Sequence, residues 1–141
     1  MFSNINPELA ARVKSLSLTY SDRPQPELLI RIPNRNKDVD YWVDISTQEF
    51  TSLCPLAPSQ PDYASISVKY RPKDWCVELK SLKFLFVSFR QVAVFHEVVP
   101  TEILKYLVDL LDPKEIIVTG IFTIRGGLQT TVTAEMKKAS R

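Results

Sequence analysis

Glycine is scarce in this chain, with 3 residues among 141, at positions 120, 126 and 127. The dinucleotide-binding fingerprint G-x-G-x-x-G and the phosphate-binding P-loop both need several glycines within one short turn, where the backbone approaches a phosphate. Neither motif is present. A nucleotide cofactor, if this protein uses one, must therefore be held by side chains.

Long apolar runs and excess charge are also missing. No stretch of about 18 consecutive apolar residues exists, so no membrane-spanning helix is expected. The first nine residues lack the basic and apolar regions of a secretory signal. The 18 Lys and Arg against 16 Asp and Glu leave a net charge of +2, too little to indicate nucleic-acid binding by itself. We expect a cytoplasmic protein that binds neither a membrane nor a nucleic acid directly.

Two cysteines and one histidine limit the metal and redox chemistry. Cys54 and Cys76 can form one disulfide at most, and in a cytoplasmic protein both thiols are expected to be reduced. A structural zinc site takes four ligands, mostly Cys and His, and three such residues fall short of that number. A mixed site with a carboxylate stays open on this ground alone, but we predict no metal.

The length of 141 residues and the 45% hydrophobic content are typical of one globular domain. Residues 1–26 are polar and end in two prolines, so we interpret them as an N-terminal arm with a short helix over residues 7–15. Residues 27–141 are predicted to form a single domain.

Apolar periodicity divides that domain into strands and helices. The pattern from Ser46 to Glu49, a hydroxyl followed three residues later by an acid, predicts a short helix that ends before Pro55. Residues 80–91 fit either a buried helix or a strand, and their shared apolar face favours a helix. A second helix is predicted from Pro100 to Leu111. Predicted strands cover residues 28–32, 41–45, 64–71, 75–77, 116–124 and 128–134, the last two joined by a turn at Gly126 and Gly127. This order favours an α+β domain with two helices on one face of an antiparallel sheet.

Cys54 is the first candidate for chemistry. It lies at the predicted end of an element, beside the proline-rich loop of residues 55–61, with Asp62 eight positions further on. Most free cysteines are small buried apolar residues, and Cys76, within an extended segment, is assigned to that class. A nucleophilic cysteine needs a neighbour that handles protons, and Asp62 or His96 could serve.

Three further groups could bind a ligand. His96 and Glu97 follow an aromatic residue, and a carboxylate can accept two N–H bonds from a guanine-like edge, although a lone histidine is more often structural. Lys80 and Lys83, with Ser81 between them, share one side of a helix and could bind phosphate or simply face solvent. Arg125 precedes the glycine turn, where the same two alternatives apply.

Taken in order, these segments resemble one family. The sequence contains E-F-T-S-L-C-P at 49–55, Q-P-D at 60–62, E-L-K-S-L-K at 78–83, S-F-R at 88–90, F-H-E at 95–97, D-P at 112–113 and F-T-I-R-G-G at 122–127. Together they closely resemble the short, single-module NADPH-dependent 7-cyano-7-deazaguanine reductases, the nitrile reductases of queuosine biosynthesis. The E-L-K-S-L-K segment is specific when S-L-C-P and F-H-E accompany it.

The resemblance implies a tunnelling fold, in which ring-forming homo-oligomers carry active sites between subunits. It implies that Cys54 attacks the nitrile carbon to form a thioimide and that Asp62 transfers protons. It further implies that His96, Glu97 and Glu78 bind the deazapurine substrate. NADPH would be bound by Lys80, Ser81, Lys83 and Arg125.

Some positions depart from the family pattern. The loop between Cys54 and Asp62 is one residue longer than usual and lacks its glycine, while Leu85 and Ile124 replace a usual aromatic residue and a usual proline. A thiolate at Cys54 also faces two objections, a helix C-terminus and a neighbouring carboxylate. Two alternatives follow: a relative that forms an amidine on a nitrile-bearing tRNA base, and a non-catalytic purine-binding assembly module. The three residues Lys80, Ser81 and Lys83 favour the reductase.

Overall fold

The computed structural model describes residues 5–139, so the outermost parts of the predicted arm and domain, residues 1–4 and 140–141, lie outside the described residues. The elements in chain order are α1 (Pro7–Lys14), a 3₁₀ turn (Pro26–Leu28), β1 (Arg31–Pro33), β2 (Val43–Leu53), β3 (Pro61–Arg71), β4 (Trp75–Val77), α2 (Leu79–Ser88), α3 (Val98–Leu111), β5 (Glu115–Phe122) and β6 (Thr131–Lys137).

Two antiparallel sheets organise the chain. The larger has four strands in the order β2-β3-β5-β6, and the smaller pairs β1 with β4. Both α2 and α3 pack on the larger sheet. The predicted α+β class is confirmed. Among residues 5–139, no helix is both long and apolar enough to cross a membrane.

The core lies between one face of the larger sheet and the two helices. On β3, Ile66, Val68 and Tyr70 are buried at alternate positions, as a half-buried strand requires. The stripe predicted on α3 supplies Ile103 and Leu107, both fully buried. These apolar side chains fix the sheet against the helices, and the strand ends beyond them are left to form a site.

Both helices predicted for the domain are present. The ambiguous segment 80–91 forms α2, and α3 begins two residues before Pro100 and ends at Leu111. Asp112, in the left-handed conformation with φ of 46°, terminates α3 and leads into Pro113.

The helix predicted from Ser46 is wrong. Residues Val43–Leu53 form one long strand, β2, which pairs with β3 on both sides of an irregularity between Thr47 and Phe50. The Thr47 hydroxyl accepts a hydrogen bond from the Glu49 N–H at 3.1 Å, so the capping-type bond stabilises this irregularity instead of a helix. Long-range pairing outweighs the local signal.

Two predicted strands are shorter or displaced. Residues 26–28 form the 3₁₀ turn, and the first strand therefore starts at Arg31 instead of residue 28. The last strand starts at Thr131 instead of residue 128, because Leu128 is occupied by the turn after Arg125.

The N-terminal segment packs along α2. Its helix α1 matches the prediction for residues 7–15 and is capped by Asn6, whose side chain accepts from the Glu8 N–H at 2.8 Å. Lys80 on α2 donates to the Val13 carbonyl at 3.0 Å. Further along, Arg90 donates to the Tyr20 hydroxyl at 2.8 Å. The division into an arm of residues 1–26 and a domain of residues 27–141 stays a prediction.

Candidate active site

A cleft of about 270 Å³ opens where β2, β3 and the glycine turn after β5 meet. Its lining contains five of the residues singled out from the sequence and five others. The lining residues are Cys54, Pro55, Asp62, Val94, Phe95, His96, Glu97, Arg125, Leu128 and Thr130.

Cys54 directly follows the last residue of β2. Its N–H donates to the Gln60 carbonyl at 3.2 Å, and the Gln60 N–H donates to the Ala57 carbonyl at 2.8 Å, which closes the proline-rich loop into a compact turn. The longer loop therefore still returns the chain to β3 at Pro61, one residue before Asp62.

Backbone pairing brings the F-H-E segment to the same place. Leu53, adjacent to Cys54, donates to the Val92 carbonyl at 2.9 Å and accepts from the Val94 N–H at 3.1 Å. These two bonds align residues 92–97 beside the end of β2. Distant parts of the sequence thus meet at one strand end.

Asp62 is the buried charge of the cleft. Its side chain is 3% exposed, and one carboxylate oxygen is paired with Arg125 Nη1. The other oxygen lies 3.4 Å from His96 Nε2. A buried carboxylate is costly without partners, and these two cationic or hydrogen-bonding groups supply them.

His96 and Glu97 occupy different environments. The His96 ring stacks on Phe122 with centroids 4.0 Å apart and planes 9° from parallel, which fixes the imidazole against the sheet. Glu97 is exposed, and its side chain makes no capping bond to α3. Phe95, with 53% of its surface exposed, also lines the cleft. A free carboxylate beside an exposed aromatic ring suits a planar ligand with N–H donors.

The electrostatics of the cleft favour a thiolate. The pKa of the Cys54 thiol is lowered chiefly by the backbone N–H of Leu56, then by the side chain of Arg125, with a smaller contribution from the Ala57 N–H. The objection based on a helix C-terminus disappears because Cys54 follows a strand. The objection based on Asp62 is answered by Arg125, which pairs with the Asp62 carboxylate and lowers the pKa of the Cys54 thiol.

The cofactor residues predicted on α2 lie outside the cleft, and none of residues 78–83 is part of its lining. Glu78 caps α2 by accepting from the Lys80 and Ser81 N–H groups at 2.9 and 2.7 Å. The Ser81 side chain is fully buried, and its hydroxyl accepts from the Ile30 N–H at 3.0 Å. Lys83 is exposed and makes no ion pair with another residue of 5–139.

Five residues of the lining escaped the sequence reasoning as site residues. Phe95 had a signal, since an aromatic side chain preceding His96 suggested a pocket for a planar ligand. Pro55 was interpreted only as part of the proline-rich loop, and Val94 was assigned no role. Leu128 and Thr130 had no signal, because the folding back of the chain after the glycine turn is what brings them to the cleft.

Comparisons with known proteins extend these observations. The sequence profile of the family described as QueF-like protein matches residues 61–141. A Thermomicrobium roseum protein named NADPH-dependent 7-cyano-7-deazaguanine reductase is 45% identical over 118 residues, covering 84% of this chain and 91% of that protein. A protein of the same name from Chlorobium phaeobacteroides is 46% identical over 109 residues, covering 77% and 92% of the two chains.

A solved structure agrees at the level of the fold. The apo form of an archaeosine synthase described as QueF-Like matches with a TM-score of 0.64, covering 70% of this chain and 96% of that chain at 23% identity. The predicted tunnelling fold is confirmed, while assembly into rings stays a prediction. By the family profile over residues 61–141 and the close relatives along most of its length, this chain belongs to the QueF-like protein family.

Proposed function

We propose that this chain reduces the nitrile of 7-cyano-7-deazaguanine to 7-aminomethyl-7-deazaguanine with NADPH, a step of queuosine biosynthesis. The two relatives described above carry the name of this activity. The single observation that carries the proposal is the cleft in which Cys54 lies with Arg125 and the buried Asp62. A nucleophile, a fixed cation and a carboxylate in one cleft suit covalent activation of an unreactive bond.

Cys54 is assigned the covalent step. A nitrile is a poor hydride acceptor until a nucleophile adds to its carbon, and thiolate addition converts it into a thioimide that accepts hydride. The nitrogen must gain a proton as the C–S bond forms. The pair formed by Asp62 and His96 is positioned to hold the thiol proton and to return it to that nitrogen.

The substrate is held by the segment 95–97. Glu97 can accept two N–H bonds from the guanine-like edge, and Phe95 offers an exposed face to the ring. His96 is fixed beside them by its stacking on Phe122. The same three residues thus orient the ring, leaving the nitrile to point toward Cys54.

The exposed lysines of α2, Lys80 and Lys83, suit the binding of an anionic cofactor. Ser81 is buried and does not contact the cofactor in the proposed site. Lys83 makes no ion pair with the other described residues. The Lys80 ammonium donates to the Val13 carbonyl and lies 5.6 Å from the Phe84 ring centroid. The buried Ser81 hydroxyl instead fixes α2 to Ile30. Two molecules of NADPH, bound in turn, would each supply one hydride, and the two hydrides would take the thioimide through an imine to the primary amine.

A single chain keeps the α2 lysines and Glu78 out of its own cleft. We therefore infer that the protein acts as a homo-oligomer in which α2 of one subunit completes the cleft of another. The open cleft supports this arrangement, as does Lys83, which forms no ion pair within the described residues 5–139. Glu78 would then join the substrate-binding residues across the subunit boundary. We also assign the enzyme to the cytoplasm, where the two free cysteines would stay reduced.

The direct test mixes the protein with 7-cyano-7-deazaguanine and follows both thioimide absorbance and NADPH oxidation. The wild-type chain should show both signals, C54A should lose both, and C76A should keep both as the matched cysteine control. Absence of both signals in the wild type would overturn the proposal. Thioimide absorbance without NADPH oxidation would instead favour the amidine-forming alternative, and ligand binding unaffected by Cys54 alkylation would favour the non-catalytic one.

A further inference from the structure

The sequence analysis assigns Arg125 to cofactor binding together with the α2 lysines. In the structure Arg125 lines the cleft with Cys54 and Asp62 instead. Its Nη1 is paired with Asp62. The Arg125 side chain also lowers the pKa of the Cys54 thiol. We propose that Arg125 keeps Cys54 as a reactive thiolate in the free enzyme and holds the Asp62 carboxylate beside it. This assignment rests on the function proposed above, and it adds a role to Arg125 beyond cofactor binding.

The backbone around Arg125 is rigid. Arg125 and Leu128 exchange two hydrogen bonds of 2.9 Å, and the residues between them, Gly126 and Gly127, have φ of 57° and 78°. Side chains are disfavoured at such φ values, and glycine adopts them without steric cost. The tight turn therefore aims the guanidinium into the cleft from a fixed base, with the Arg125 side chain 31% exposed.

Charge balance explains why a fixed arginine is needed. A carboxylate beside a thiol opposes thiolate formation, because two like charges would lie close together. Arginine stays protonated at all working pH values and can bind both groups through its several N–H donors. With Arg125 present, the Cys54 thiolate and the Asp62 carboxylate can coexist, and the Leu56 and Ala57 N–H groups contribute from the loop side.

The covalent step then balances. In the free enzyme the proton of the Cys54 thiol already rests with the Asp62–His96 pair. The thiolate sulfur forms a bond to the nitrile carbon, and one π pair of the nitrile moves to nitrogen. The nitrogen takes the same proton, so the net change is addition of S–H across the C≡N bond. The sulfur loses its charge in this step, which leaves Arg125 with Asp62 as its one anionic partner in the cleft.

The test measures Cys54 alkylation by iodoacetamide against pH, without substrate or cofactor, with mass spectrometry to separate Cys54 from Cys76. In the wild type the rate should reach half its maximum below the pH of about 8.5 that is ordinary for cysteine. R125M and R125Q should shift this midpoint upward by about one pH unit and slow alkylation at pH 7 by roughly tenfold. R125K, which keeps the charge, should restore part of the rate.

The control is R23M, because Arg23 pairs with Glu27 at the surface and does not line the cleft. Its profile should match the wild type. An unshifted midpoint in R125M or R125Q would overturn the proposal. A raised KM for NADPH with an unshifted alkylation profile would assign Arg125 to the cofactor alone, which also overturns it. A shifted profile in a protein that fails to form a thioimide would sustain the Cys54–Arg125 coupling and reject the proposed function.

Discussion

Asp62 is the residue on which the cleft depends, because its buried carboxylate joins Arg125 to His96. In the sequence, Asp62 is a candidate proton-transfer residue because it is the first acidic residue after Cys54. Its burial and its two partners come from the register of β3 against β2, where Asp62 lies opposite Ser52. At this scale the proposal assigns two tasks to two residues: Arg125 stabilises the thiolate, and Asp62, with His96, moves the proton.

Replacement of Asp62 by asparagine should separate these tasks in an experiment. D62N removes the negative charge beside Cys54 and leaves Arg125 in place, so alkylation at pH 7 should be as fast as in the wild type or faster. Nitrile reduction should fall by about 10² to 10⁴, because the proton-transfer group is lost. Stopped-flow measurement of turnover alongside the alkylation assay checks both effects. The control is D44N, which removes the exposed carboxylate of Asp44 on β2. Slower alkylation in D62N than in the wild type would contradict the assignment.

Close contact between α3 and β5 sets the position of the segment that carries His96. A Cβ at Gly120 on β5 would lie 2.9 Å from Pro100 Cγ on α3. Side chains in a packed core cannot give way by that much without moving the backbone. Gly120 is thus required by packing, whereas Gly126 and Gly127 are required by their positive φ.

Alanine at these positions should destabilise the protein for two different reasons. G120A forces α3 away from the sheet and should cost about 1–3 kcal/mol of unfolding free energy, as overpacking does. G126A meets no atom within 4 Å, so its cost of about 1 kcal/mol comes from backbone strain alone. Urea denaturation of the two variants measures both values. A neutral G120A would show that α3 can shift freely, contrary to the close packing.

At the scale of the whole molecule, the α2 lysines lie outside the cleft of their own chain, and the proposed function makes the two surfaces halves of one site between subunits. The helix itself is well anchored, with Glu78 at its N-terminus and Ser81 bonded to Ile30. A well-fixed α2 suits a surface that must be presented to a neighbouring subunit. On this proposal, the short chain completes its site by assembly.

Complementation between two inactive variants tests this assembly. C54A lacks the nucleophile, and the double variant K80A/K83A lacks the α2 cations, so each alone should be inactive. If sites form between subunits, unfolding and refolding the two together should restore about a quarter of wild-type activity, because random mixing pairs the intact halves in one site out of four. Each variant refolded alone is the control. No recovery in mixed oligomers, verified by mass, would place both halves within one subunit.

Much of the fold could be predicted from residue patterns, where local periodicity and tertiary packing agree. The apolar stripe on α3 and the alternation of apolar and polar residues on β3 are examples, because the spacing of apolar residues predicts the buried face. The failure at Ser46 shows the opposite case. A local capping pattern was present, but pairing of β2 with β3 over a long stretch stabilises the extended chain more than one cap stabilises a helix.

The sequence by itself determined the class of the fold, the scarcity of glycine that excludes phosphate-binding loops, and the identity of Cys54, Asp62, His96 and Glu97 as candidates. The tertiary structure decided the rest. It paired Arg125 with Asp62 in the cleft that Cys54 lines, buried Ser81, and left the α2 lysines outside that cleft. Charge interactions depend on distance and burial, and these are set by strand register and turn geometry between residues far apart in the chain.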